Sequence, residues 1–379
     1  MNPAPCGRDQ KRWRAGVLGA TGIVGQRLVH LLSHHPWFEL TEVAASERSA
    51  GRPYAEAVRW HVDAPLPPEA GDLVVKHLEP SLDCDFVFSA LDSGVAGHVE
   101  TEFARADYPV VSNCKNHRME PDVPLLVPEV NAAHLDALVE QKRRRGWDAG
   151  FIVTNPNCST AGLVLALKPL ADAFGLEQVF VVTLQAVSGA GYSGVASLDI
   201  LGNVVPFISG EEEKMETEPR KLLGAWDGAK FVDAGVRVSA QCTRVPVQDG
   251  HLECVSVKLR KKASPADVRE ALRSFEVSAE LASLPTALRH PVVVLDEHDR
   301  PQPRRDLNAG NGMAAVVGRV RECHLLDVKF TLLSHNLVRG AAGAALLNAE
   351  LLAARGWLNA DRRPAQREAP LPTEVVSKN

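Results

Sequence analysis

The sequence has few aromatic residues, no excess of positive charge and no long apolar run. Its 379 residues include 6 Trp, 3 Tyr and 11 Phe, which is little material for a base-stacking surface. Lysine and arginine number 42 against 47 acidic residues, a net charge of −5, so nucleic acid is not an expected partner. No apolar stretch reaches about 18 residues, and we predict neither a transmembrane helix nor a membrane partner. The polar, basic start before residue 14 lacks the apolar segment of a secretory signal.

The cysteines are scattered and odd in number. Seven occur, without a Cys-x-x-Cys pair, at positions 6, 84, 114, 158, 242, 254 and 323. Such a set predicts neither a disulfide framework nor a structural zinc site, and no metal is expected. We therefore predict a reduced, cytoplasmic protein, and the question becomes what its thiols do.

The order of apolar segments predicts an α/β protein of two domains. Over residues 1–150, short strands alternate with helices, which is typical of a Rossmann-type, doubly wound sheet. Over 151–334 the strands are longer and lack crossover helices, so an α+β domain with a mixed sheet is predicted. The predicted strands lie at 14–19, 38–45, 72–78, 85–91 and 109–112 in the first domain, and at 151–154, 178–187, 236–243, 252–259, 314–321 and 325–333 in the second. An Ala- and Leu-rich helix lies within 335–357, and residues 358–379 are expected to form a flexible tail.

Three glycines at a spacing of three residues follow the first predicted strand and open the first helix. They are Gly19, Gly22 and Gly25, within a segment that also contains Thr21, Ile23 and Val24. The spacing is a variant of the dinucleotide-binding fingerprint, in which glycines permit a tight turn and a close approach to a pyrophosphate. A tight β–α turn without a ligand would use the same residues. The strand–turn–helix context favours a dinucleotide site.

The turn after the second strand bears on which dinucleotide binds. It contains Ser46, Glu47, Arg48 and Ser49. Glu47 could accept from a ribose hydroxyl, as in an NAD site, whereas Arg48 with the two serines suits a 2′-phosphate. A solvated turn is the third interpretation. We favour NADP.

Cys158 occupies a different setting from the other cysteines. It lies in Asn-Pro-Asn-Cys-Ser-Thr, between a buried strand and a helix. A helix start favours a thiolate, so we predict an ionised nucleophile here. The helix N–H groups and the Asn157 side chain could donate to an oxyanion on an attached acyl group. Most other cysteines lie in apolar, strand-like runs and are predicted to be packing residues.

A nucleophilic thiol beside a dinucleotide predicts an oxidoreductase that works through an acyl-enzyme. Such an enzyme needs a proton carrier. His251 follows the tight turn at Asp249 and Gly250 and begins a strand, seven residues after Arg244. That placement distinguishes it from the other 12 of the 13 histidines, and we predict that it is the acid/base group.

Several ordered motifs together resemble one family. They are Gly19 to Gly25, Asn-Cys-Ser-Thr at 157–160, Gln-Ala-Val-Ser-Gly-Ala-Gly at 185–191, Glu211 to Lys214, and Arg244 to His251. Over about residues 13–357 the chain resembles aspartate-β-semialdehyde dehydrogenase. The segments at 112–119 and 334–343 are similar to the branch found in archaea and fungi. Ser193 stands where proline is expected, and Cys114 where a small residue is usual.

The resemblance implies a reaction and a set of residue roles. Cys158 would attack L-aspartyl-4-phosphate, expel phosphate and form a thioester, which NADPH would reduce to L-aspartate-4-semialdehyde for lysine, threonine, methionine and isoleucine biosynthesis. His251 would be the acid/base catalyst and Gln185 would orient the substrate. Substrate contacts are implied for Arg244, Glu211 and Asn157, phosphate contacts for Arg118, Lys214 and Asn113, and cofactor contacts for Ser89, Ser188, Gly189 and Asn336 as well as the glycine loop. The resemblance also implies that the helix at 335–357 completes the nucleotide domain, and that the chain is at least a homodimer.

Three alternatives remain. Malonyl-CoA reductase has similar chemistry, but its substrate offers no ammonium to Glu211. N-acetylglutamyl-phosphate reductase fits the spacing of the Arg244–His251 and Glu211–Lys214 pairs poorly. A non-catalytic NADP-binding sensor would need neither Cys158 nor His251.

Overall fold

Residues 12–358 are described by a computed structural model, and they contain two sheets of different construction. Cys6 and residues 359–379 of the predicted tail lie outside the described residues. The strands are β1 Trp13–Leu18, β2 Phe38–Ala44, β3 Phe86–Ser89, β4 Pro109–Ser112, β5 Phe151–Thr154, β6 Leu176–Gln185, β7 Ala225–Trp226, β8 Phe231–Val232, β9 Arg237–Arg244, β10 His251–Leu259, β11 Val292–Leu295, β12 Ala315–Glu322 and β13 Val328–Ser334.

The helices are of very unequal length. They are α1 Ile23–Leu32, α2 Tyr54–Ala57, α3 Pro68–Gly71, α4 Ser93–Arg105, α5 Pro128–Asn131, α6 Ala137–Arg145, α7 Cys158–Phe174, α8 Ser197–Ile200, α9 Glu211–Leu222, α10 Pro265–Arg273, α11 Ala279–Ala282, α12 Pro303–Asp306 and α13 Gly343–Ala354. Single 3₁₀ turns occur at Ala132–Asp136, Val187–Ala190 and Ala309–Gly312, and a π-helical turn at Val338–Ala342 precedes α13. No helix in residues 12–358 is long and apolar enough to cross a membrane.

The first sheet is parallel, with strand order β2-β1-β3-β4-β5. All residues of β3, β4 and β5 are buried, as expected for strands covered on both faces. The predicted Rossmann-type sheet is confirmed. The strands that follow β1 and β3 in the chain lie on opposite sides of these two neighbours, so the strand order changes direction between them. Open α/β sheets bind ligands at such a point, beyond the carboxyl ends of the strands.

Two predictions for this sheet are wrong. Residues 72–78 are not a strand but form single bridges at Val74 and Lys76. Val74 is 47% exposed, whereas a strand of a doubly covered sheet is buried on both faces. Residues 151–154, assigned from sequence to the second domain, pair with β4 as the edge strand β5. The predicted boundary at 150 therefore cuts off one strand of the first sheet.

The second sheet is mixed, with order β11-β12-β13-β10-β6-β9. Two neighbouring pairs are parallel, β6 with β9 and β11 with β12, and the other three are antiparallel. Helices α7, α9 and α10 cover one face and share an apolar core with it. The predicted α+β architecture is confirmed. Helix α13 packs instead into the core of the first sheet, where Leu346 and Leu347 join Val17 and Leu28.

Candidate active site

The carboxyl ends of the parallel strands form a single edge, and the predicted site residues follow them in order. Gly19 comes after β1, Ser89 ends β3, Asn113 follows β4, and Asn157 lies in the turn between β5 and α7. Three strand spacings separate β1 from β5, about 14 Å. The glycine loop and the predicted nucleophile thus lie at opposite ends of one continuous edge.

Cys158 is the first residue of α7, as predicted. Asn157 is its N-cap, and its side-chain oxygen accepts from the backbone N–H groups of Ser159 at 3.0 Å and Thr160 at 3.2 Å. Gly340, in the π-helical turn, approaches so closely that a Cβ there would lie 2.7 Å from the Cβ of Cys158. The side chain of Cys158 is therefore confined between the second sheet and the turn before α13.

His251 contacts the sulfur directly. Its Nε2 lies 3.2 Å from Sγ of Cys158, and its Nδ1 accepts from the backbone N–H of Ala186 at 3.1 Å. Because a backbone N–H can only donate, the neutral imidazole carries its proton on Nε2. Complete burial lowers the pKa of His251 to about 3, so the ring is neutral near pH 7. It presents an N–H donor to the sulfur.

The predicted ionised thiol is not what the pocket favours. Burial and the nearby Glu211 carboxylate raise the pKa of Cys158 to about 12, although Arg118, Lys214 and Arg244 act to lower it. The prediction considered the helix start alone, whereas desolvation acts in the opposite direction and favours the neutral form of an acid. Without substrate, the resting pair is a thiol and a neutral imidazole.

Glu211 is the centre of the polar network around the pair. Its Oε1 accepts from Nδ2 of Asn157 at 2.7 Å and from Nε2 of Gln185 at 3.2 Å, and its Oε2 accepts from Nζ of Lys214 at 2.8 Å. Burial acts to raise the pKa of Glu211, but these donors lower it overall. The Asn157 amide, expected to donate to an oxyanion, is thus engaged by Glu211, with the sulfur 3.9 Å away.

Arg244 lies at the end of β9, also close to the pair. Its Nη1 donates to the carbonyl oxygen of Ala186 at 2.8 Å. A Cβ on Gly189 would lie 2.9 Å from this Nη1 and 3.1 Å from Cε1 of His251. Gly189 therefore keeps space open between the arginine and the histidine.

Arg118 approaches the site from the first domain. Its Nη1 donates to Oε1 of Glu218 at 2.9 Å and its Nη2 to the carbonyl oxygen of Asn113 at 2.8 Å. Within residues 12–358, its buried Nε has no hydrogen-bond partner. Buried donors are almost always satisfied, so this one is available to an anion. The side chain of Asn113 accepts from Asn155 at 3.2 Å.

Two further predicted cofactor residues are joined across the domains. Nδ2 of Asn336 donates to Oγ of Ser188 at 2.8 Å, and its Oδ1 accepts from the N–H of Gly250, next to His251. Ser89 is buried with its Oγ 3.7 Å from Sγ of Cys114. Burial raises the pKa of Cys114 to about 12.

The glycine loop fits a dinucleotide by its shape. Gly19 has φ +77°, and a Cβ there would lie 2.5 Å from the carbonyl oxygen of Ala90; on Gly25 it would lie 2.2 Å from that of Gly19. Gly22 caps α1 without a side-chain hydrogen bond and has only an ordinary contact at 3.4 Å. The loop continues through Thr21 into the first turn of α1, which contains Ile23 and Val24. The free N–H groups of this turn can bind a pyrophosphate.

The residues predicted to bind a 2′-phosphate lie in the turn after β2, apart from the network around Cys158. Ser46 and Arg48 are exposed and Ser49 is half-buried, in the turn that follows β2. β2 is the parallel neighbour of β1, so the turn and the glycine loop share one edge. Among residues 12–358, no hydrogen bond links this turn to Cys158.

The sequence analysis missed Glu218, Lys221 and Gly340. The first two extend the Glu211 and Lys214 pair along α9 at helical spacing, a signal that the sequence contains. Gly340 lies in the segment at 334–343 but was assigned no role. Only its contact with Cys158, 182 positions away in the chain, shows why a side chain is excluded.

A nucleotide-type parallel sheet, a mixed-sheet domain and a cysteine–histidine pair at their junction define a dehydrogenase that works through a cysteine acyl-enzyme. The family model "Semialdehyde dehydrogenase, NAD binding domain" matches residues 14–138, and "Semialdehyde dehydrogenase, dimerisation domain" matches 167–339. With the relatives described next, these matches show that the chain belongs to the aspartate-semialdehyde dehydrogenase family.

Relatives that are about half identical to the chain include proteins of archaea and fungi, the groups named by the resemblance. The chain is 52% identical to aspartate-semialdehyde dehydrogenase of Archaeoglobus fulgidus over 90% of this chain and 98% of that one. It is 49% identical to that of Schizosaccharomyces pombe, over 91% and 99%. The crystal structure of the Candida albicans enzyme with NADP matches with a TM-score of 0.85 and 46% identity, over 92% of this chain and all of that chain.

Proposed function

We propose that the chain reduces L-aspartyl-4-phosphate to L-aspartate-4-semialdehyde with NADPH, through a thioester on Cys158. The observation that carries the proposal is the 3.2 Å contact between Sγ of Cys158 and Nε2 of His251. This contact lies among charges whose signs match the substrate. The malonyl-CoA reductase and sensor alternatives have no support among the relatives described above, which are all aspartate-semialdehyde dehydrogenases.

The substrate carries a carboxylate, an ammonium and a phosphoryl group, and the site offers a partner for each. Arg244 suits the carboxylate, because guanidinium groups bind carboxylates bidentately. Glu211 suits the ammonium. Arg118, with its unpartnered Nε, and Lys214 suit the phosphoryl group. Gln185 reaches Glu211 and would orient the bound amino acid.

The first half-reaction follows from the protonation of the pair. The sulfur of Cys158 attacks the acyl carbon, and the carbon–oxygen bond to phosphate breaks. Because Nε2 of His251 already carries a proton, the thiol proton leaves with the phosphate rather than on the imidazole. The Nε2–H stabilises the sulfur as negative charge develops on it.

The second half-reaction returns the thiol. NADPH, when bound, supplies a hydride to the acyl carbon of the thioester. The Nε2–H of His251 donates a hydrogen bond to the acyl oxygen as negative charge forms there, and the charge passes to the sulfur when the carbon–sulfur bond breaks and the aldehyde forms. The sulfur takes up one proton from solvent, which balances the reaction.

The cofactor would bind at the glycine loop. Gly19 and Gly25 tolerate no Cβ, and Gly22 leaves open space before α1. Ser46, Arg48 and Ser49 would hold a 2′-phosphate beside this loop, and Ser89, Ser188, Gly189 and Asn336 would line the path from it to Cys158. The relative from Candida albicans was solved with NADP, which supports the preference for NADPH.

We also propose that the chain acts as at least a homodimer in the cytoplasm. The family model matched over 167–339 is described as a dimerisation domain. The face of the second sheet opposite α7 leaves Phe180 41% and Leu325 92% exposed, and such apolar patches are typical of protein interfaces. Light scattering after gel filtration tests the assembly: a monomer at micromolar concentration contradicts it.

The reaction is best tested in reverse. Purified protein, L-aspartate-4-semialdehyde and NADP should produce NADPH, read by absorbance, only when inorganic phosphate is added. A parallel assay with malonyl-CoA and NADPH serves as the control and should show no NADPH oxidation. Phosphate-independent reduction of NADP, or oxidation of NADPH with malonyl-CoA, would refute the proposed substrate.

A further inference from the structure

Two buried charged side chains of α9 contact the predicted phosphate-binding segment but have no role in the proposed reaction. Glu218 is 2% exposed and Lys221 is 7% exposed. They follow Glu211 and Lys214 at helical spacing, so the four side chains project from similar faces of the helix. Burying a charge is costly unless partners hold it, and the partners of Glu218 and Lys221 indicate what they do.

The ammonium of Lys221 is fully used by the backbone of the segment 118–123. Its Nζ donates to the carbonyl oxygens of Arg118, Glu120 and Val123, each at 2.8 Å. An ammonium has three N–H groups, so each donor has one acceptor. Three carbonyl groups of one turn are thereby drawn to a single point, and the turn that carries Arg118 is closed against α9.

The carboxylate of Glu218 connects the arginine to the helix of the nucleophile. Its Oε1 accepts from Nη1 of Arg118 at 2.9 Å, and its Oε2 accepts from the backbone N–H of Asn157 at 2.6 Å. Asn157 caps α7, and Cys158 is the next residue. A single carboxylate therefore sets the position of the guanidinium relative to the sulfur. The second nitrogen of the guanidinium is held by the carbonyl of Asn113, which leaves Nε free for an anion.

We propose that Glu218 and Lys221 are positioning residues that hold Arg118 at a fixed place relative to Cys158, so that phosphate is bound in line with the acyl carbon. The inference rests on the proposed function. Lys221 acts on the backbone of Arg118 and Glu218 acts on its guanidinium, and neither is placed against the substrate. Their loss should weaken the use of phosphate selectively.

The test compares three variants in the reverse reaction. Glu218→Gln keeps the side-chain volume but cannot accept at both positions, and Lys221→Met keeps the apolar stem but removes the three donors. For both variants we expect the KM for phosphate to rise about 10-fold or more, because hydrogen bonds to charged groups are lost. The KM values for the aldehyde and NADP should stay within about twofold, since binding sites that share no partner with the substituted residue are only weakly coupled to it.

Glu216→Met, which removes the acceptor but keeps a side chain of similar length, is the matched control on the same helix. Glu216 also anchors α9, by accepting from the backbone N–H of Ala240 in β9 at 3.0 Å, but within residues 12–358 it forms no hydrogen bond with the 118–123 segment. This variant should leave the KM for phosphate unchanged. If it raises that KM as much as Glu218→Gln does, the effect comes from general loosening of α9 and the proposal is wrong.

A double-mutant cycle isolates the route through Arg118. If Glu218 acts on phosphate by positioning this arginine, Glu218→Gln should change kcat/KM for phosphate little further once Arg118→Ala is present. Additive losses in the double variant would contradict the proposal. This arm uses no Lys221 variant, so it decides the question even if Lys221→Met fails to fold.

A binding assay separates this inference from the proposed function. Inorganic phosphate should protect Cys158 from iodoacetamide, and Glu218→Gln should raise the half-protecting concentration about 10-fold. Absence of turnover in the wild type would refute the proposed reaction, yet the protection assay would still report on Arg118. Equal protection of wild type and variant would overturn the positioning role.

Discussion

The Cys158 pocket and the glycine loop lie on one sheet edge but are built in opposite ways. In the pocket, buried side chains satisfy one another: Glu211 alone holds Asn157, Gln185 and Lys214. In the loop, the features that matter are backbone shape and empty space, with Gly22 open toward α1. The pocket is therefore organised by its own side chains before any ligand binds, whereas the loop leaves space and free N–H groups at the start of α1 for a ligand.

The contrast has a functional reason. A substrate with three charged groups needs side chains at set separations, and a network of hydrogen bonds supplies the rigidity. A pyrophosphate needs N–H donors, and a helix start already provides them. The loop must only leave enough space for the ligand. Side-chain changes should therefore disrupt the pocket, and added atoms should disrupt the loop.

The largest effect is expected from Cys158→Ser. We expect kcat to fall by about 10³-fold or more, because the thioester route is lost. NADP binding, read by quenching of protein fluorescence, should stay the same, since the loop shares no hydrogen bond with the sulfur. A parallel loss of NADP affinity would show that the two regions are not independent.

The second prediction concerns the pH dependence of the thiol. With the pKa of Cys158 raised to about 12, the thiolate fraction at neutral pH is small and rises with pH throughout the measurable range. Because the thiolate is the nucleophile, the rate of alkylation by iodoacetamide should increase about 100-fold between pH 7 and pH 9.

That measurement needs peptide-level mass spectrometry, because the exposed Cys254 also reacts. A rate at Cys158 that levels off above pH 8 would mean that the helix start outweighs burial, as the sequence alone suggested.

The pocket shows which parts of such a site a sequence can predict. Cys158 and His251 are recognisable separately, one from a strand-to-helix junction and the other from a tight turn, and the structure brings them to 3.2 Å. Their protonation was not predictable. It depends on burial and on the Ala186 N–H, which belong to the packed domain rather than to either motif.

Long-range contacts account for what was missed in the site. Glu218 contacts Arg118 across 100 residues and Asn157 across 61, and no local pattern specifies such pairs. In the fold, the strand periodicity gave most elements correctly but failed at 72–78. There, the apolar residues belong to a loop that forms only single β-bridges with neighbouring segments.

The third prediction tests the loop with a matched pair of substitutions. In Gly22→Ala the new Cβ has only an ordinary protein contact, so melting should be unchanged while the Kd for NADP rises about 30-fold through a clash with the pyrophosphate. In Gly25→Ala the Cβ would overlap the carbonyl of Gly19, so the free energy of unfolding should fall. Calorimetry and titration of both proteins separate the two outcomes; unchanged NADP affinity in Gly22→Ala would exclude the loop as the pyrophosphate site.

The smallest effect is expected from Arg48→Ala, at the edge of the nucleotide region. The residue is exposed and contributes little to folding, so stability should not change. If its guanidinium binds the 2′-phosphate, the Kd for NADPH should rise about 10-fold while the Kd for NADH stays constant. Glu47→Gln in the same turn is the matched control, because it would affect NADH only if the carboxylate held a ribose hydroxyl. If Arg48→Ala raised the Kd for NADPH and the Kd for NADH equally, this turn would shape the binding site without contacting the 2′-phosphate. Other residues along the sheet edge would then determine the preference between the cofactors.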